Sequence, residues 1–160
     1  MKKFKKVIAM CLATVMALSV MCVGVSAKEV HHLKNGVTLT TYDDGEYTPR
    51  ANLIRTVDTT FNTTIAKFPS STLVGNNLSL GSQESNLEIY FTTRPTGSCY
   101  FSLYDITTDE YLTSGTNYMY GPIYMNDIYT LSGLTGGHKY RIRMAGAGSS
   151  CQIAGSITSY

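Results

Sequence analysis

The chain has no tryptophan, only three histidines, four prolines among 160 residues, and charged side chains at 15%. Each shortage closes off a line of interpretation. Without an indole, the usual flat platform for a pyranose ring is missing. With three imidazoles, any Ser-His-Asp arrangement would have to use His31, His32 or His138. No Gly-x-Ser-x-Gly nucleophile turn occurs. His31 and His32 are adjacent, which on a strand points them to opposite faces and argues against a shared zinc. Four of the 13 Lys and Arg are Lys2, Lys3, Lys5 and Lys6 at the very start, which leaves 9 against 11 Asp and Glu. Phosphate binding needs concentrated basic side chains, so nucleic acid and anionic membranes are poor partners for the remainder. After the first 27 residues no run keeps a helical period.

What is present begins with an address. The four lysines precede a nearly unbroken apolar run from Val7 to Val20, followed by Val25-Ser26-Ala27 as a cleavage site. Residues 1–27 therefore read as a secretory signal peptide, which implies a secreted, extracellular protein. An uncleaved anchor is the alternative, since residues 7–25 are almost long enough to span a bilayer. Of the four cysteines, Cys11 and Cys22 lie in the leader. Cys99 and Cys151 form an even pair in an oxidising compartment, where one disulfide is the default and two free thiols the alternative.

The rest is rich in Tyr, Thr and Ser, a strand-forming composition with polar outer faces. Residues 28–50 read as an N-terminal arm or extra strand, with a strand at 37–42 and a turn at Asp43-Asp44-Gly45-Glu46. Residues 51–160 read as one domain. Strands are expected within 53–68, as one long or two short, then at 86–93 and 99–106, with a return strand beginning at 111–113. Further strands fall at 128–132, 140–145 and 152–159, with loop or edge over 114–122. Leu87, Ile89 and Phe91 alternate with polar neighbours, as do Phe101 and Leu103. Turn signals every 10 to 12 residues argue an all-β fold, an antiparallel sandwich.

The crossing from one sheet to the other is placed at Leu134-x-x-Gly137-x-x-Tyr140. This spacing resembles the E-to-F crossing of fibronectin type III and related immunoglobulin-like domains, with Gly136 where that family usually has Pro. A similar pattern occurs in the small jelly-roll domains of the pre-peptidase C-terminal type. The resemblance implies an immunoglobulin-like or jelly-roll sandwich in which the Tyr140 hydroxyl turns back onto the upstream backbone. It makes 99–106 strand C, 140–145 strand F and 152–159 strand G, and brings Cys99 and Cys151 to one pole, where a bridge could close.

On that layout the outer face of the C-F-G sheet carries Tyr100 and Tyr104, flanked by Arg141 and Arg143, with Tyr111 on the next strand. Tyr beside Arg is a composition favoured at binding surfaces, although a cross-strand ladder that only shields the sheet has the same composition. Oxygen-rich turns at Asp43-Asp44-Gly45-Glu46 and at Asp105, Asp109 and Glu110 would suit calcium, without matching an EF-hand spacing. No other cofactor is implied. The expectation is a non-catalytic binding or adhesion module of the bacterial cell surface or extracellular space, with an extracellular protein or polysaccharide as partner. The alternatives are a carbohydrate-binding module and a small hydrolytic or peptidase-associated domain.

Overall fold

Alternation in the sequence becomes strand in the structure. The computed structural model describes residues 29–43 and 55–160. The leader, positions 53–54 and most of the acidic turn (Asp44, Gly45 and Glu46) lie outside the described residues. Twelve strands form: β1 (Glu29–His32), β2 (Thr38–Tyr42), β3 (Asp58–Ile65), β4 (Thr72–Leu73), β5 (Leu78–Ser79) and β6 (Asn86–Thr93). They continue with β7 (Ser98–Asp105), β8 (Glu110–Tyr111), β9 (Tyr120–Tyr124), β10 (Ile128–Ser132), β11 (Lys139–Gly146) and β12 (Cys151–Ser159). There is no α-helix among the described residues.

The strands make two antiparallel sheets. The first runs β1-β2-β10-β6-β12-β3; the second runs β4-β11-β7-β8, with β5 also on β11 and β9 also on β7. With β4 and β5 taken as one position, and β8 and β9 as another, β3-β12-β6-β10 faces a layer built around β11 and β7. That is jelly-roll connectivity, with the β1–β2 hairpin added beside β10. The immunoglobulin-like alternative, in which the last strand pairs with the one before it, is not the arrangement formed. β12 lies in the opposite sheet from β11, between β6 and β3.

Gly155 shows why β12 fits there. Phe61 of β3 and Phe91 of β6 flank it in register, and their rings meet at 5.7 Å between centroids. A Cβ on Gly155 would overlap the Tyr90 carbonyl oxygen and come within 3.0 Å of the Phe61 ring. Inside the sandwich, Leu87 and Ile89 face Phe101, Leu103, Ile142 and Met144, all fully buried. Tyr129 joins the layers edge-on, 5.2 Å from Phe91 and 6.4 Å from Phe101. Each such side chain contributes about 1.5–3 kcal/mol through burial.

The crossing is pinned by its tyrosine. Tyr140 is buried, and its hydroxyl accepts the Thr135 N–H at 2.8 Å and donates to the Thr135 carbonyl at 3.2 Å. Leu134 is buried beneath the turn, and Gly137 takes φ +79°, a left-handed conformation that costs glycine little.

The expected Cys99–Cys151 bridge is not formed; both are free thiols. Cys99 points into the core from β7, with its sulfur 3.4 Å from the Tyr129 hydroxyl. Cys151 opens β12 in the other sheet and is half-buried. Although β12 lies in the opposite sheet from β11, the Cys151 thiol stays close enough to Cys99 to contribute to its raised pKa, so the two cysteines lie at one end of the sandwich without a bond between them.

Candidate functional site

The outer face of the second sheet brings together part of the expected surface. Tyr104 on β7 sits directly opposite Tyr111 on β8 and Arg141 on β11. The Tyr104 and Tyr111 rings are 4.8 Å apart, and the Arg141 guanidinium carbon lies 5.9 Å from the Tyr104 centroid. Sequence reasoning missed the fourth member. Tyr118 stacks on Tyr111 at 4.2 Å with 6° between the ring planes. It comes from a stretch read as loop or edge, and its signal is backbone rather than periodicity. Asn117 and Tyr118 take φ of +55° and +59°, a left-handed conformation rarely tolerated by an aromatic residue.

The row is held at its Arg141 end and at Tyr104. Arg141 Nε donates to Asn77 Oδ1 at 3.2 Å. The Tyr104 hydroxyl donates to Asp109, and that carboxylate raises the pKa of the phenol. Because the rings cover one another, the row presents edges, hydroxyls and a guanidinium rather than open faces. Tyr118 is the most open member, 52% exposed.

Tyr100 and Arg143 belong elsewhere. Arg143 is fastened to Ser71, with Nε 2.9 Å from its hydroxyl and Nη2 2.7 Å from its carbonyl. Tyr100 stacks on Phe68 at 4.1 Å and helps to line a cleft of about 490 Å³. This cleft opens where edge strand β1 of one sheet meets β9 of the other. His31 and Tyr120 also line it. The His31 Nε2 is 3.1 Å from Glu29 Oε2, and its Nδ1 is 3.3 Å from the Tyr120 hydroxyl. Residues 29–32, expected to be a loose arm, are thus the paired strand β1, and His31 is fixed on both ring nitrogens. With Val30 as its only aliphatic residue, and that 52% exposed, β1 has no buried face for periodicity to reveal.

His138, in the crossing, is held by buried Asp105, Nδ1 to Oδ2 at 2.8 Å. Asp105 Oδ1 accepts the N–H groups of Thr107 and Thr108 at 2.9 and 3.3 Å. The pair clasps the turn after β7 to the crossing, and no bond from a hydroxyl to His138 Nε2 is found among the described residues. The three carboxylates of the second turn considered for calcium point to separate partners: Asp105 to His138, Asp109 to Tyr104, and Glu110 to the Asn35 amide at 3.1 Å. No cluster of three His, Cys, Asp or Glu able to hold a metal occurs among the described residues. One carboxylate absent from the expected sites is the most firmly bound: Glu84 accepts the N–H groups of Thr56 and Gly81, each at 2.6 Å.

The fold defines an antiparallel jelly-roll sandwich carrying an exposed Tyr–Arg row and a separate cleft. No protein-family profile matches the chain, and no significant match is found among curated proteins or solved structures.

Proposed function

We propose that this chain is a secreted, non-catalytic binding or adhesion module, and that the Arg141–Tyr104–Tyr111–Tyr118 row contacts an extracellular protein partner. The observation that carries this reading is Tyr118. Holding an aromatic residue in left-handed backbone costs on the order of 1 kcal/mol, and the ring is left about half exposed. Its stacked pair with Tyr111, at about 0.5–1.5 kcal/mol, can offset that cost. A shielding ladder over β7 and β8 would already be complete with Tyr104 and Tyr111. The added ring extends a rigid ridge of hydroxyls beside a cation, the chemistry of a polar protein contact with little side-chain entropy left to lose.

The test uses fluorescently labelled protein lacking residues 1–27 on washed bacterial cells and on immobilised extracellular proteins. Tyr118→Ala, and Tyr104→Ala with Arg141→Ala, should each lower retention at least tenfold while leaving the circular dichroism spectrum intact. Retention unchanged in both would remove the row as the contact. A carbohydrate ligand is the second reading, and the cleft rather than the row favours it.

A further inference from the structure

We infer that the cleft between β1, β7 and β9 is a binding site for a neutral sugar, separate from the Tyr–Arg row. Three observations converge on that ligand class.

The first is charge. Among the described residues no Lys, Arg, Asp or Glu lines the cleft, so phosphates, nucleotides and acidic ligands would find no formal counter-charge there. The second is the wall. Tyr100 and Phe68 are stacked and therefore immobilised, and they end the cleft with aromatic carbon against which the C–H face of a sugar ring can pack. Met119 and Ile123 extend the apolar lining. The third is the placement of polar groups. Ser114, Thr116 and Tyr120 share the same cavity with His31, giving hydroxyls that both donate and accept.

The hydrogen-bond direction at one end follows from the chemistry of the partners. An ionised carboxylate only accepts. Glu29 therefore fixes the proton of a neutral His31 ring on Nε2, leaving Nδ1 as an acceptor for the Tyr120 hydroxyl. The Tyr120 oxygen is then left with lone pairs for a ligand hydroxyl. His31 and Glu29 act as positioning residues behind it. Apolar walls with a few converging polar groups, in a space of this size, are the ordinary anatomy of a small-ligand site. A site for one or two sugar rings needs no tryptophan when a tyrosine is already clamped flat.

The experiment is native affinity electrophoresis in mixed-linkage β-glucan, xylan, galactomannan and, as an anionic comparison, polygalacturonate, with a pull-down on cellulose and chitin. At least one neutral polysaccharide should retain the protein. Tyr100→Ala should weaken that retention at least tenfold. Tyr120→Phe, which keeps the ring and removes only the hydroxyl, should weaken it severalfold. Tyr124→Ser, an exposed change outside the cleft lining, should leave it unaltered. The inference is overturned if no neutral polysaccharide retains the protein, if only polygalacturonate does, or if retention survives both Tyr100→Ala and Tyr120→Phe. The row variants are read in a separate assay, so either proposal can fail while the other stands.

Discussion

Replacing Glu84 by Gln tests whether one buried carboxylate holds three parts of the chain together. Its two oxygens accept the N–H groups of Thr56, just before β3, and Gly81, just after β5. It also takes a hydrogen bond from Ser159 at the end of β12. Burial by itself would raise the pKa of Glu84. The Gly81 and Thr56 N–H groups, with the Ser159 and Thr56 hydroxyls, outweigh it and hold the carboxyl below its ordinary value. Glutamine preserves the shape but turns one oxygen into an NH2 group facing an N–H donor. One charge-assisted bond becomes a neutral one, losing about 1 kcal/mol, and one N–H loses its acceptor, costing about 1–3 kcal/mol. The expected loss is about 3 kcal/mol at pH 7, or about 10 °C in Tm.

The pH dependence supplies the second reading of the same experiment. A carboxyl with a depressed folded-state pKa stabilises fully above the unfolded value, about 4.3, and that contribution is lost as pH falls through the folded-state value. Urea unfolding of both proteins at pH 7, 5, 4 and 3 should therefore show the difference between them shrinking below pH 5. A loss under about 1 kcal/mol at pH 7, or a difference that stays constant down to pH 3, would refute the assignment of Glu84 as a charged clasp.

Tyr140→Phe removes the hydroxyl that both accepts from and donates to Thr135; urea unfolding should show a loss of about 1–3 kcal/mol, with the strand signature in circular dichroism retained. Gly155→Ala places a methyl group against the Tyr90 carbonyl and the Phe61 ring; a loss of about 3 kcal/mol or more, or failure to fold, is expected, and a stable variant would contradict the position of β12. Thiol labelling of protein lacking residues 1–27, with mass detection, should find two reduced cysteines, Cys99 and Cys151. Cys151 should react first, because burial pushes the Cys99 thiol up to about 12 and reaction needs the thiolate. A mass two hydrogen atoms lighter with no reactive thiol would instead reveal the bridge.

The long strands were legible because their side chains separate into a wet and a dry face. Leu87, Ile89 and Phe91, or Tyr140, Ile142 and Met144, give a period of two that survives without any knowledge of neighbours. Which sheet each strand joins was not legible in the same way. β12 would show inward Ile153 and Ile157 on either side of the sandwich, and only the Phe61–Gly155–Phe91 contact separates the choices. The short strands β4, β5 and β9 carry too few residues to establish a pattern, and Pro122 reads as a break although it sits at a sheet edge. At the candidate surface, the positions of Tyr104, Tyr111 and Arg141 followed from strand parity. Tyr118 depends on two consecutive left-handed residues, and His31 depends on partners 2 and 89 positions away; neither relation has a linear signature.

The place of β12 bears on how the molecule can assemble. It follows every one of its partners along the chain, yet it is the piece that joins β3 to β6. Until it docks, the first sheet exists as separated fragments, and each closure spans a long stretch of polymer whose entropy is lost before many contacts form. Refolding should accordingly be slow, and a chain halted before position 151 should leave β3 without its neighbour in the first sheet.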